Sequence, residues 1–144
     1  MSELFKILLT SSLTIIGGVL VFSFSQLILR FLIDPVHEQT KAFGEIAFCL
    51  SYYSAWYANP GSGRSDDMER ASNALRQCAG HLVATSRAIR CYKVFERLRL
   101  VPSQPGVKEA TGHLIRISNS IFGAHGSNNS RDANQISRLL KLQA

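Results

Sequence analysis

The N-terminal part of the chain contains one long apolar run without a charged side chain. Residues 7–29 include no Asp, Glu, Lys or Arg, and most of them are Leu, Ile, Val or Phe. At a rise of about 1.5 Å per residue, a helix of this length crosses a hydrocarbon layer of roughly 30 Å. Each apolar side chain near the centre of such a helix favours insertion by roughly 0.3 to 0.6 kcal/mol. The pattern predicts a transmembrane helix within residues 1–33.

A cleaved signal peptide is the main alternative for this run. Ser23 and Ser25 would supply the small residues that precede a cleavage site. Against this interpretation, Glu3 offsets the charge of Lys6, the apolar run exceeds the roughly 7 to 15 residues of a signal peptide, and hydrophobicity resumes at Leu27. A soluble core helix is less consistent, because the rest of the chain is too short to cover all its sides.

Small and hydroxyl-bearing residues recur at intervals of three and four along one side of the predicted span. This small-residue stripe consists of Ser11, Thr14, Gly18, Val21 and Ser25. Small side chains let two helix backbones approach closely, and hydroxyls can bond across the contact. We therefore predict a homo-oligomer in which the stripes of several copies meet. An alternative is that enough copies meet for the stripe to line the pore of a small ion channel.

Residues 34–144 predict a basic domain on the cytoplasmic side. The formal net charge is +6, and every one of the 16 Lys and Arg residues except Lys6 follows the apolar run. Because cytoplasmic segments carry the excess of Lys and Arg, we expect the N-terminus outside and the C-terminal domain in the cytoplasm, at a plasma or inner membrane. Cys49, Cys78 and Cys91 are odd in number and have no close spacing, which fits free thiols in a reducing compartment.

The spacing of apolar residues predicts an all-α membrane protein, with one N-terminal transmembrane helix followed by a small bundle of about four helices. The expected helices cover residues 3–33, 35–58, 67–100, 107–122 and 131–142. Asp34 is expected as the N-cap of the second helix and Pro35 in its first turn, with one long helix kinked at Pro35 as the alternative. Asp66 and Glu69 predict a capping box for the third helix.

The second predicted helix has an apolar face and an aromatic end. Its apolar residues recur at the spacing of a buried face, which favours a place in the bundle core. Its uncharged part, residues 46–59, is short for a membrane span, but Tyr and Trp are common at membrane–water interfaces. For residues 34–58, an interfacial helix and a second span stay open as alternatives.

Basic residues are concentrated on the third predicted helix. The basic surface consists of Arg76, Arg87, Arg90, Lys93 and Arg97. On one continuous helix these residues would share about a third of the circumference. Anionic lipid headgroups are the expected partner, at about 1 kcal/mol per basic residue near a membrane surface. An acidic protein partner and a solvated surface are the alternatives, and nucleic acid is not expected because no base-reading motif accompanies these residues.

Acidic residues follow the predicted span. Glu38 and Glu45 lie seven residues apart and so share a helix face. In an oligomer they would form acidic rings at the mouth of a pore, where they would attract cations. Pairing with neighbouring Lys and His side chains is the alternative.

No set of residues predicts catalysis or a cofactor. Cys78 and His81 have a spacing that a metal could use, but the other candidate ligands are scattered along the chain, namely Cys49, Cys91, His37 and His113. The sequence shows no general base that would activate Ser118 or Ser120 as a nucleophile. Gly61-Ser62-Gly63 lacks the Lys of a phosphate-binding loop. We therefore expect no metal and no cofactor.

The resulting prediction is a non-enzymatic, membrane-anchored helical protein that self-associates and serves as a scaffold or accessory subunit. A small homo-oligomeric channel and a membrane-tethered enzyme are the alternatives.

Overall fold

The computed structural model describes residues 3–123 and 128–142, and within these ranges all regular structure is helical, without a strand. The all-α prediction is therefore confirmed. The α-helices are α1 (Glu3–Ile28), α2 (Asp34–Tyr52), α3 (Ser54–Ala58), α4 (Ser65–Ala88), α5 (Tyr92–Arg97), α6 (Gln104–Ser120) and α7 (Asn129–Leu139). A π-helical turn, Leu29–Ile33, lies between α1 and α2. The chain divides into two compact units, one ending at Asp34 and one beginning at Pro35.

The first unit consists of α1 and the π-helical turn. None of the residues of α1 is buried, and its large apolar side chains are between 50% and 73% exposed. By length and composition, the helix that begins at Glu3 is suited to cross a membrane, and a signal sequence has the same properties. A long apolar N-terminal helix is thus present, as the sequence predicts.

The junction at Asp34 differs from the prediction. Asp34 has helical backbone angles (φ −57°, ψ −45°), so it is not an N-cap. Its backbone N–H donates to the carbonyl of Leu29, five residues earlier, as in a π-helix. Pro35 has no N–H to donate, and a widened turn is one way in which a helix accommodates a proline. Helical backbone therefore continues past Pro35, closer to the alternative of one long helix.

The second unit has its main core among α2, α4, α6 and α7. Helix α6 packs against both α4 and α7. The largest core side chains are fully buried, namely Ile46, Leu75, Leu82, Leu114, Ile117, Ile121 and Ile136. The Ser72 hydroxyl of α4 donates to the Ser118 carbonyl of α6 over 2.9 Å. A helical bundle is thus confirmed.

The second predicted helix is divided at Tyr53 into α2 and α3. Ile46, Leu50 and Tyr57 from this segment are buried in the main core. The Tyr57 hydroxyl donates to the Leu50 carbonyl (2.9 Å), and burial raises the pKa of this phenol. The Asn129 amide donates to the Tyr57 carbonyl (2.8 Å), which connects α3 to α7.

The third predicted helix is also divided, so the prediction of one helix over residues 67–100 is wrong. Helix α4 ends at Ala88, Ile89 is extended, and Cys91 adopts a left-handed conformation (φ 56°) before α5 begins. The break lets Ile89 and Tyr92 form a second small core with Val101. The Tyr92 hydroxyl donates to the Pro102 carbonyl over 2.9 Å. Tertiary packing therefore outweighs the local helical pattern.

The ends of the other helices differ from the predictions by a few residues. Arg64, which precedes α4, forms no side-chain cap bond, so the predicted capping box of Asp66 and Glu69 is wrong. Helix α6 begins at Gln104, before the predicted start, because the Ser103 hydroxyl caps it by accepting from the Gly106 N–H (3.2 Å). Of the flexible turn predicted at residues 123–129, residues 124–127 lie outside the described residues.

Replacing Leu114 with Ala should reveal the central place of α6. Leu114 is fully buried, whereas its neighbour Ile115 is 44% exposed. We expect Leu114→Ala to lower the free energy of unfolding by about 3 kcal/mol, and Ile115→Ala to lower it by less than about 1 kcal/mol. Guanidinium unfolding of the full chain in detergent, followed by the fluorescence of the single tryptophan, Trp56, tests this, because Trp56 packs against the main core. Equal losses in the two variants would contradict this position of α6.

Candidate functional site

The small-residue stripe lies along α1 and is fully exposed. All five of its residues are exposed, namely Ser11, Thr14, Gly18, Val21 and Ser25. A Cβ atom added at Gly18 would meet no atom within 4 Å. The stripe is therefore open to a second helix.

Four of the six hydroxyl groups of α1 donate within the helix. Thr14 donates to the Thr10 carbonyl (2.9 Å), and Ser25 donates to the Val21 carbonyl (2.8 Å). Thr10 and Ser12 donate in the same way to carbonyls four residues earlier. Because their hydrogens are used within the helix, the oxygens of Thr14 and Ser25 could bond to a second helix only as acceptors.

Both acidic residues of the predicted ring have partners within the chain. Glu38 Oε1 lies 2.7 Å from Lys41 Nζ, and this hydrogen bond and charge hold the pKa of the exposed Glu38 below its usual value. Glu45 Oε2 lies 2.7 Å from His81 Nδ1 of α4. This is the pairing that the sequence left open as the alternative to an acidic ring.

The basic surface is distributed over two helices and the segment between them. Arg76 and Arg87 lie on α4, Arg90 lies in the break, and Lys93 and Arg97 lie on α5. All five residues are exposed. The prediction that these residues share one third of a helix circumference assumed one continuous helix, and that helix ends at Ala88. Arg76 is held by α6, because its guanidinium donates to Asn119 Oδ1 over 2.8 Å.

A cavity of about 420 Å³ adjoins the basic surface. It is lined by residues of α4, α6 and the second small core, including Ser86, Arg87, Ile89, Tyr92, Val107 and Lys108. Its walls thus combine apolar side chains with the cationic groups of Arg87 and Lys108. Lys108 is not indicated by the sequence, where it is isolated, and it lines the same cavity as Arg87 only in the folded unit.

Two cysteines that are distant in sequence meet between α2 and α4. The Cys78 thiol donates to Cys49 Sγ over 3.2 Å. The Glu45–His81 pair lies on the same two helices, four residues before Cys49 and three residues after Cys78. From the sequence, Cys78 and His81 have a spacing that a metal could use, Cys49 is one of the scattered candidate ligands, and Glu45 is considered only for an acidic ring. The signal that could have joined them is the matching helical spacing of Glu45 with Cys49 and of Cys78 with His81.

A buried carboxylate joins α6 to α7. Asp132 Oδ1 lies 2.9 Å from His113 Nδ1 and 3.3 Å from Arg116 Nη1. Its side chain is only 5% exposed, and Oδ2 has no hydrogen-bond partner. This cluster was not predicted, since Asp132 and His113 come from different helices. Because both of its partners are on α6, the carboxylate connects the two helices.

The serines considered as nucleophiles are engaged in structural bonds. Ser118 donates to the Ile115 carbonyl (2.8 Å) and is fully buried. Ser120 shares its hydroxyl between the Ile117 carbonyl and Asn129 Oδ1. Within residues 3–123 and 128–142, no group of three or more His, Cys, Asp or Glu side chains is arranged to hold a metal ion.

Comparison with protein-family models, with curated proteins and with solved structures finds no match for this chain.

Proposed function

We propose that this chain is a non-enzymatic helical protein that α1 anchors in a membrane, and that it self-associates to act as a scaffold or accessory subunit. The observation that carries this proposal is the exposure of α1. This helix is apolar around its circumference, yet none of its residues is buried by the chain itself. The apolar surface of such a helix must be buried by something other than the chain itself, and the hydrocarbon core of a lipid bilayer can bury it.

The hydrogen bonds within α1 support a place in lipid. A hydroxyl group in hydrocarbon is costly unless its hydrogen has an acceptor. Thr10, Ser12, Thr14 and Ser25 each donate to a backbone carbonyl four residues earlier. These polar residues therefore need no water. The excess of Lys and Arg after α1 favours a cytoplasmic second unit and an outside N-terminus, in a plasma or inner membrane.

Self-association would occur through the small-residue stripe. Gly18 leaves open space at its Cα, and the neighbouring positions of the stripe carry short side chains. Two backbones can then approach closely, which increases dispersion contacts along the interface. The acceptor oxygens of Thr14 and Ser25 would face weak Cα–H donors of the second helix.

Anionic lipid headgroups are the proposed partner of the second unit. The five residues of the basic surface are exposed, and the cavity beside them carries Arg87 and Lys108. A phosphate group would be attracted to this pair of cations. Tethering by α1 would keep the surface near the bilayer, where each basic residue contributes about 1 kcal/mol.

Gly18→Leu should shift the full chain toward monomer. The new side chain has room within its own chain, so a change in association would report contact with another copy. A loss of about 1.4 kcal/mol would weaken association tenfold. Native mass spectrometry in mild detergent measures this. Leu20→Phe adds bulk on the opposite side of α1 and should leave the mass distribution unchanged. An unchanged distribution for Gly18→Leu would eliminate the stripe as the contact, and a closed ring of several copies in the unmodified chain would favour the channel.

Removing three charges from the basic surface should weaken lipid binding. We expect Arg87→Gln, Arg90→Gln and Lys93→Gln together to lower the affinity of a fragment covering residues 35–144 for anionic vesicles by about a hundredfold. Vesicle sedimentation measures the affinity, after circular dichroism has established that the fragment is helical. The matched control is Arg70→Gln, Arg131→Gln and Arg138→Gln, which removes the same charge from other exposed positions. An equal loss in the control would mean that net charge alone determines binding.

A further inference from the structure

Cys49 and Cys78 lie close enough for a covalent bond after a small movement. Their sulfur atoms are 3.2 Å apart, and the Cys78 thiol donates its hydrogen to Cys49. A disulfide has an S–S distance of about 2.05 Å, so the two sulfurs would have to approach each other by about 1 Å. Cys78 lies in the middle of α4 and Cys49 lies in the last turn of α2, and both helices pack in one core. The third cysteine, Cys91, is exposed and lies beyond the end of α4.

The two thiols of this pair have different surroundings. Cys49 is half-buried and, with Cys78, lines a cavity of about 480 Å³ that also contacts Glu45, Phe48 and His81. Cys78 is only 7% exposed. Burial, and then the hydrogen bond to Cys49, raise the pKa of the Cys78 thiol to about 12. Because Cys49 is the more exposed of the two, a small molecule entering the cavity reaches its sulfur more easily, while the neighbouring Cys78 thiol keeps its proton.

We propose that Cys49 and Cys78 form a redox-modification site, in which a hydroperoxide oxidises Cys49 and Cys78 then closes an intramolecular disulfide. In the first step, the Cys49 sulfur attacks the terminal oxygen of the hydroperoxide. The O–O bond breaks, Cys49 becomes a sulfenic acid, and the thiol proton leaves with the alcohol or water that is released. In the second step, the Cys78 sulfur attacks the Cys49 sulfur, the S–O bond breaks, and hydroxide leaves as water with the Cys78 proton.

The oxidation transfers two electrons and can be reversed. The hydroperoxide gains two electrons, the two thiols lose two electrons, and the chain loses two hydrogen atoms. A dithiol reductant reverses the step by thiol–disulfide exchange. The bond would tie α2 to α4 covalently and constrain the chain between residues 49 and 78, so we expect the oxidised form to unfold at a higher temperature.

The test uses the full chain with Cys91→Ser, which removes the exposed third thiol and leaves the pair intact. The protein is reduced in detergent, freed of reductant, treated with a limiting amount of hydrogen peroxide, and alkylated. The intact mass should fall by two hydrogen atoms, and both thiols should escape alkylation. Trypsin cleaves at Arg64, Arg70 and Arg76 between the two residues, so the Cys49 and Cys78 peptides should elute joined until a reductant separates them.

The control variant is Cys49→Ala combined with Cys91→Ser, in which Cys78 should remain a free, alkylatable thiol after the same treatment. The mass and alkylation of the Cys91→Ser chain are measured without any substitution in the core. These measurements therefore decide the proposal even if the Cys49→Ala variant folds poorly. Added oxygen on Cys49 with Cys78 still alkylatable would overturn the proposal. So would a disulfide between two copies, or two thiols that stay unreacted.

Discussion

The exposure of α1 is the constraint on which the rest of the account depends. Leaving a large aliphatic or aromatic side chain in water instead of burying it costs about 1.5–3 kcal/mol. Helix α1 carries such side chains over most of its surface outside the small-residue stripe, and none is buried by the chain. The proposed bilayer removes this cost, and internal bonds lower the cost of placing the hydroxyls of Thr10, Thr14 and Ser25 in lipid. The proposed roles of the stripe and of the basic surface both assume that placement.

The second unit obtains its core in a different way. Its apolar residues are buried among its own helices, with α6 packed against both α4 and α7. Polar bonds then determine how the helices meet. Ser72 bonds to the backbone of α6, Asn129 bonds to the backbone of α3, and the buried Asp132 joins His113 to α7. Because an unpaired buried polar group costs about 1–3 kcal/mol, these bonds disfavour other packings of the same helices.

Several features of the fold could be predicted because they depend on local pattern. The apolar run of α1 and the periodic Leu114, Ile117 and Ile121 of α6 are of this kind. The break after Ala88 could not be predicted, because it depends on tertiary contacts of Tyr92. The Tyr92 hydroxyl donates to the Pro102 carbonyl and accepts from the amide of Gln39, which is distant in sequence. The basic surface was inferred from one continuous helix, so its geometry changed with that break. The spacing within each helix places Glu45 with Cys49 and Cys78 with His81. The contact between Cys49 and Cys78 depends in addition on how α2 meets α4, which that spacing does not determine.

Intact mass analysis of alkaline-washed membranes tests the central claim, that α1 is a retained membrane span, most directly. Cells expressing the full chain are lysed, and the membranes are washed with alkaline carbonate, which removes proteins that are only bound to the surface. The account predicts that the chain stays in the membrane fraction with a mass that includes residues 1–33. Release into the supernatant, or a mass that lacks those residues because a signal peptide was removed, would contradict it.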